Sequence, residues 1–527
     1  MKSRETELTR TKKIEKLLKP FQIVPLKIYP KSFCSRDGLT YGLIRLAQGQ
    51  RLIVLGEKAK VRRNPFKGKN RHHDDTTLRI CDFSSDNTAS LMDLFPYTRP
   101  IPLRNYPMTI GTGDRLGLAT PGHIRAVRKF QVRPVLAQES VRENKQTGRN
   151  FFEVVRDAAW AVFQENYQEG YGADGDHLKA FDEIREALDA GDSMITLDLT
   201  EKLNPSAFTD SREKLDQNFA SEIGDEESKV LFHLFLNKAF SFKGPHGEFS
   251  IRFDEESVKR NALLFYQAID FTEKAYQFIQ SRLKDRRVID FEISIDETPF
   301  MTSPQNHLFF VILLGQRGVR IESLAPRFVG EFQKAIDYRG DLDEFRRQFY
   351  QHAMIAKDHG NYKISIHSGS DKFSVFPSMG ELANEGLHLK TAGTSWLEAM
   401  RLIAKRDPSL YREMHQYAFT VFHEAAKLYY VTTDLGRIAK LQDVRDRDLP
   451  RYLDQEDSRQ LIHLTYGYLL NAKDGDGMFL FRDRFLKTLT DYEEEYWTLL
   501  EKHIGKHLIA LGLKKERRHG PLKTRDH

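Results

Sequence analysis

Cysteine is nearly absent from the 527 residues: only Cys34 and Cys81 occur, in no C-x-x-C or other ligand-like spacing. Both read as reduced thiols, with a single Cys34–Cys81 disulfide as the alternative. Long apolar runs are missing too. The longest, 308–314, falls far short of the roughly 20 residues a membrane span needs. The opening stretch MKSRETELTR is charged and carries no apolar h-region, so a cytoplasmic protein is expected. Charge of one sign is also lacking: 81 basic and 75 acidic residues leave +6, a weak basis for nucleic-acid binding. The one locally basic run, KAKVRRNPFKGKNRHHDD with His72 and His73, has Phe66 as its sole aromatic and ends in acids. It reads as a solvated loop.

The chain does have material for a large core, with 40% hydrophobic and 30% charged residues. From about residue 20 to 100, short β-type runs (FQIVPLKIY, GLIRLA, RLIVLG, TLRICDF) alternate with turn residues, which suggests a β-rich N-terminal domain over 1–104. Beyond it lie eight strand candidates, at 108–112, 132–137, 171–177, 194–199, 290–296, 320–326, 363–368 and 387–392. Segments with apolar residues at spacings of three and four separate most of them, for example FFEVVRDAAWAVFQENY and LDEFRRQFYQHAMIAKD. Eight β and α alternations predict an α/β fold, a (β/α)8 TIM-type barrel over 105–400. A mostly helical insertion is expected at about 203–287, and a helical extension over 401–527 that ends in a polar basic tail.

In such a barrel, chemistry sits at the C-terminal ends of the strands. Asp176 and His177 end the third strand, where a carboxylate beside an imidazole can place a proton acceptor next to a metal ligand. A helix cap with a surface histidine is the plain alternative. His367 ends the seventh strand between KISI and SGS, and with His177 and a carboxylate it would complete a three-ligand site for a divalent cation. Glu331 and His388 are both candidates for the third ligand. Glu292 alternates with Ser294 and Asp296 on one face of the fifth strand. Three polar groups facing a barrel interior make Glu292 a candidate acid/base, with Glu297 as its rival. After strand one, Asp114, Arg115 and His123 are candidate substrate contacts, as are Asp296, Glu297, Ser368, Asp371, Lys372, Lys390 and Thr391. Arg115, Lys372 and Lys390 are the cations suited to a carboxylate.

The blocks GTGDRLGLATPGH, GADGDHLK, FEISIDET, SLAPRFVGEF, YKISIHSGSDKFSV and HLKTAGTSWLEA stand in order over about 111–399. In order and spacing they resemble the tagaturonate/fructuronate epimerase family. The resemblance implies a metal-dependent isomerase that interconverts D-tagaturonate and D-fructuronate in hexuronate catabolism. It further implies Asp176 as proton acceptor, Glu292 as proton donor, and His177 and His367 as ligands of one divalent cation. Zinc, manganese, nickel and iron all suit such ligands. The Asp-His pair with a later strand-end histidine also looks like class II metal aldolases.

These two ketouronates differ at C4, whose hydrogen is not adjacent to the C2 ketone, so enolisation alone cannot invert it. Retro-aldol cleavage of the C3–C4 bond, rotation of the aldehyde and re-addition would. An aldolase or lyase that releases those fragments is the alternative, followed by a non-catalytic sugar-acid sensor on the same barrel. The expected partner is a small sugar acid, with no nucleic acid and no membrane; homo-oligomerisation is left open.

Overall fold

The computed structural model describes residues 7–283, 288–382, 386–427 and 429–515. Of the expected polar tail, all but Lys514 and Lys515 lies outside these residues. The described residues begin with a helix, Glu7–Leu18, followed by a five-stranded antiparallel sheet in the order β1-β2-β3-β5-β4. Its strands are β1 (Lys27–Arg36), β2 (Leu39–Leu46), β3 (Gly49–Glu57), β4 (Lys69–His73) and β5 (Thr76–Cys81). Cys34 and Cys81 are free thiols. The basic run is not a loop. It forms a helical turn, Lys58–Arg63, and the edge strand β4, whose residues are all exposed. Strand alternation is invisible there because every side chain is polar; backbone pairing with β5 and side-chain bonds such as Arg79 to Asn70 hold the strand.

Eight parallel strands close the barrel: β6 (Met108–Gly111), β7 (Arg133–Ser140), β8 (Gly172–Leu178), β9 (Met194–Asp198), β12 (Asp290–Ile295), β13 (Ser323–Pro326), β14 (Lys363–Ile366) and β15 (Leu387–Lys390). They pair in that order, and β15 returns to β6. All eight expected strands are present. In β12, Phe291, Ile293 and Ile295 pack outward into the apolar shell of helices, while Glu292 and Ser294 are fully buried on the other face. The helix Phe151–Glu165 shows why the shell forms: Asn150 caps it with Glu153 in a reciprocal box, and Asn166 ends it in the left-handed region. Burying each large side chain of that shell contributes about 1.5 to 3 kcal/mol.

The insertion between β9 and β12 holds the helices Arg212–Glu222, Asp225–Phe235 and Glu255–Arg282, as expected. It also holds a hairpin, β10 (Ala239–Gly244) and β11 (Gly247–Arg252), that the helical reading overlooked. Its signal was a period of two in AFSF and FSIR around Gly247, which sits at a φ of 125°. At the other end, the helices Pro408–Ala426, Glu456–Leu464 and Glu493–Ala510 share one apolar cluster with the N-terminal sheet and the barrel helices through Tyr29, Trp160, Trp396 and Trp497. No helix among the described residues is long and apolar enough to cross a membrane.

The outer helices carry a buried imidazole pair. His307 Nδ1 lies 2.8 Å from His352 Nδ1, and His307 Nε2 lies 2.6 Å from the Tyr362 hydroxyl. Burial lowers both histidine pKa values, that of His352 from 6.5 to about 3. A depressed pKa stabilises the fold above the unfolded value of 6.5, and that stability is lost as pH falls toward 3. Denaturant titrations from pH 7 to 4 should show wild-type stability falling more steeply than that of a His307→Gln/His352→Gln variant. Parallel curves would refute this.

Candidate active site

The end of β8 departs from strand geometry. Between Gly175 and Leu178 its register against β9 shifts by one residue, and His177 takes a φ of 54°. Strict alternation would send Asp176 and His177 to opposite faces. The bulge turns both into the barrel mouth, and His177 Nδ1 donates to Asp176 Oδ1 at 2.8 Å. Gly175 is needed behind them, since a Cβ there would lie 2.6 Å from that of Ala187 on the packed helix.

Below this pair lies Lys390, buried at the floor of the site. Its Nζ lies 2.9 Å from Asp174, 2.6 Å from Asp176, 2.8 Å from Glu292 and 2.9 Å from the Thr196 hydroxyl. Burial would lower the Lys390 pKa, but the three carboxylates raise it well above its ordinary value. For Asp176 and Glu292, burial would raise the pKa. His177 and Lys390 outweigh it for Asp176, as do Lys390 and His367 for Glu292, and hold both well below the carboxylate range. Asp174 goes the other way, to about 6, because burial prevails over Lys390.

His367 Nε2 donates to Glu292 Oε1 at 2.8 Å, and Ser323 donates to the other Glu292 oxygen. Each of the two imidazoles therefore gives one ring N–H to a buried carboxylate, the arrangement that fixes tautomer and orientation in metal-binding histidines. The remaining nitrogens converge on Asp296 Oδ1: His367 Nδ1 at 3.1 Å and His177 Nε2 at 3.9 Å. His367 Nδ1 is buried and makes no aligned hydrogen bond. Burial opposes charge on His177, yet Asp176 raises its pKa to about 10. Asp296 adds a fourth carboxylate to the three around Lys390 and faces only the two imidazoles. A donor set of two imidazoles and one carboxylate in an anionic surround suits a divalent cation.

The third member of this group is Asp296, which the sequence pattern suggested only as a substrate contact. Neither expected third ligand belongs to it. His388 lies one inward step below Lys390 on β15, with its Nδ1 2.9 Å from the Thr109 hydroxyl. Glu331 sits in the loop after β13 and accepts from Gln333 and Tyr430. Spacing along the chain could not separate these candidates, because all lie at or beyond strand ends and only the barrel's closure decides which meet.

An open cleft lies above the group, walled by Asp176, His177, Asp296 and His367. Arg115, Ser368 and Lys390 also reach it, whereas Glu292 does not. Glu297 lines an adjoining outer space and pairs loosely with Arg142. Five expected contacts serve the scaffold instead. Asp114 accepts four backbone N–H groups at residues 116–120, and His123 is buried against Ser395. Thr391 donates to Gly111 O, and Asp371 pairs with Arg459. Lys372 Nζ donates to three carbonyls, those of Gln333, Ile336 and Ser370. The cleft also takes Gln138, Arg142, Glu143, Lys334 and His463, which no motif singled out. Glu143 could have been found, since Ser140-x-x-Glu143 opens a helix at the end of β7. His463 could not, because it arrives from the C-terminal helices.

A family model described as tagaturonate epimerase (UxaE) matches residues 29–511. The chain belongs to this family. A curated relative, the tagaturonate/fructuronate epimerase of Thermotoga maritima, is 38% identical over 487 residues, covering 92% of this chain and 97% of that protein. A glycerol-complexed crystal structure of the fructuronate-tagaturonate epimerase from Cohnella laeviribosi is 43% identical, with a TM-score of 0.88 over 96% of this chain and 99% of that one. The native form of the same Cohnella protein gives 0.86 over 96% and 100%. Family membership makes the chain an isomerase-class enzyme, and the family's fold agrees with the barrel described above.

Lys390→Met would strand three buried carboxylates without their shared cation. A loss of about 3 to 5 kcal/mol in unfolding free energy is expected in denaturant titration. A loss below about 1 kcal/mol would show that the carboxylates do not depend on Lys390.

Proposed function

We propose that the enzyme inverts C4 of a ketohexuronate, interconverting D-tagaturonate and D-fructuronate in hexuronate catabolism in the cytoplasm, with a divalent cation held by His177, His367 and Asp296. One observation carries the metal reading: both imidazoles are locked by buried carboxylates with their free nitrogens turned toward one Asp296 oxygen at the cleft floor. A cation bound there would supply Lewis-acid polarisation of the C2 carbonyl.

The remaining chemistry falls to the chain's own groups. Asp176 faces the cleft as a carboxylate held by His177 and Lys390, and it takes the proton of the C4 hydroxyl. The C3–C4 bond then breaks, its electron pair passing to the C2–C3 fragment as C4 becomes an aldehyde. The aldehyde stays in the cleft while it rotates. Re-addition forms the C3–C4 bond on the opposite face, and Asp176 returns the proton to the C4 oxygen. The retro-aldol route is preferred because the C4 hydrogen is too far from the ketone to be acidic. Glu292, which the family resemblance suggested as proton donor, is ionised and screened from the cleft by His367. It acts as a positioning residue that fixes the His367 ring.

Protein stripped with chelator and reloaded with single divalent metals should convert D-tagaturonate to D-fructuronate only when loaded, and His177→Ala should abolish conversion. Full activity in chelator would overturn the metal reading. Steady release of a three-carbon aldehyde would instead mark an aldolase. Glu292→Gln should weaken metal affinity by about 10- to 100-fold, measured by competition with a chelating dye. Unchanged affinity would remove its positioning role.

A further inference from the structure

Four cations line the cleft, and three are already neutralised. Lys390 is shared by three carboxylates, Arg115 donates to Glu143 at 2.5 Å, and Arg142 stands 3.7 Å from Glu297. Lys334 alone has no carboxylate partner among the described residues. Its Nζ donates to the Ser368 hydroxyl at 2.7 Å, beside His367, and lies 6.0 Å from the centre of the Tyr429 ring. It borders both the inner cleft and the outer space.

The loop that carries it is held from several sides. Ala335 takes a left-handed φ of 64°, a conformation costly for a residue with a Cβ, which persists only where its surroundings impose it. Arg459 donates to Ala335 O and Gln460 donates to Lys334 O. Lys372, buried behind the loop, donates to the carbonyls of Gln333 and Ile336 on either side. These contacts come from the C-terminal helices and from the segment after β14, and they fix the backbone that aims Lys334 at the cleft. An unpaired ammonium on an imposed loop, in a cleft whose other cations are occupied, is an anion site.

We propose that Lys334 is the specificity-determining residue that binds the substrate's carboxylate, so that the cleft selects sugar acids over neutral ketoses. This rests on the ketohexuronate reading of the same site, where the reacting carbons lie at the His177–His367 floor and the acid end reaches Lys334 and Ser368.

The test has two arms. In steady-state kinetics with metal-loaded enzyme, Lys334→Met should raise KM for D-tagaturonate by about 10- to 100-fold, the worth of one charge-assisted hydrogen bond, with kcat changed far less. Lys334→Arg should recover part of that loss. In calorimetry, D-galactonate and galactitol serve as an anionic and a neutral probe that lack the ketone and cannot turn over. Wild type should bind the anion more tightly, and Lys334→Met should abolish the preference. An unchanged KM, or an anion preference that survives the substitution, would overturn the proposal. So would an equal fall in kcat and affinity for both probes, which would mark a merely structural lysine. If wild type fails to convert D-tagaturonate, the ketohexuronate reading fails, and the probe pair still decides the role of Lys334.

Discussion

A single buried ammonium governs the centre of this barrel. Lys390 is buried at the cleft floor, and Asp174, Asp176 and Glu292 surround it and offset the cost of its desolvation. Those carboxylates in turn come from different strands, β8 and β12, so their mutual repulsion would oppose closure of the barrel without the lysine from β15. The same carboxylates then act outward. Asp176 and Glu292 each accept an N–H from an imidazole, and so decide which nitrogen of His177 and His367 faces the cleft. The acidity of the floor and the orientation of the two histidines both descend from that one cluster.

The price of this arrangement is paid at the strand ends. His177 and Ser368 both hold left-handed backbone conformations at the mouth, with φ of 54° and 51°. At β8 the departure is a bulge that places two consecutive side chains on one side. The C-terminal helices share the N-terminal sheet's core, send His463 to the cleft and brace the Lys334 loop with Arg459 and Gln460, so the extension helps to shape the site as well as to cover the barrel.

Much of this was legible in the chain. The eight strands were readable because their outward faces are aliphatic while turn residues and amphipathic helices punctuate them. The polar face of β12 was visible because Glu292, Ser294 and Asp296 alternate with Phe291, Ile293 and Ile295. The hairpin of the insertion and the edge strand β4 were not, the first because it is short and flanked by helices, the second because it has no apolar face. Among the site residues, the pairing of Asp176 with His177 was suggested by adjacency. The presence of Asp296 beside His367 was not, because 71 positions separate them in number and only barrel closure brings them together.

The sequence by itself determined the barrel, its strand order and the strand ends where polar chemistry collects, since periodicity and turn chemistry are local properties that survive without coordinates. Family resemblance added the reaction class. Only the tertiary structure decided which charges meet: that Lys390 and Lys372 are consumed by the scaffold, that Asp296 joins the two histidines, that Glu292 stands behind His367, and that Lys334 is left unpaired. The physical reason is that electrostatic partnership depends on distance and desolvation, and both are set by how distant segments close on one another.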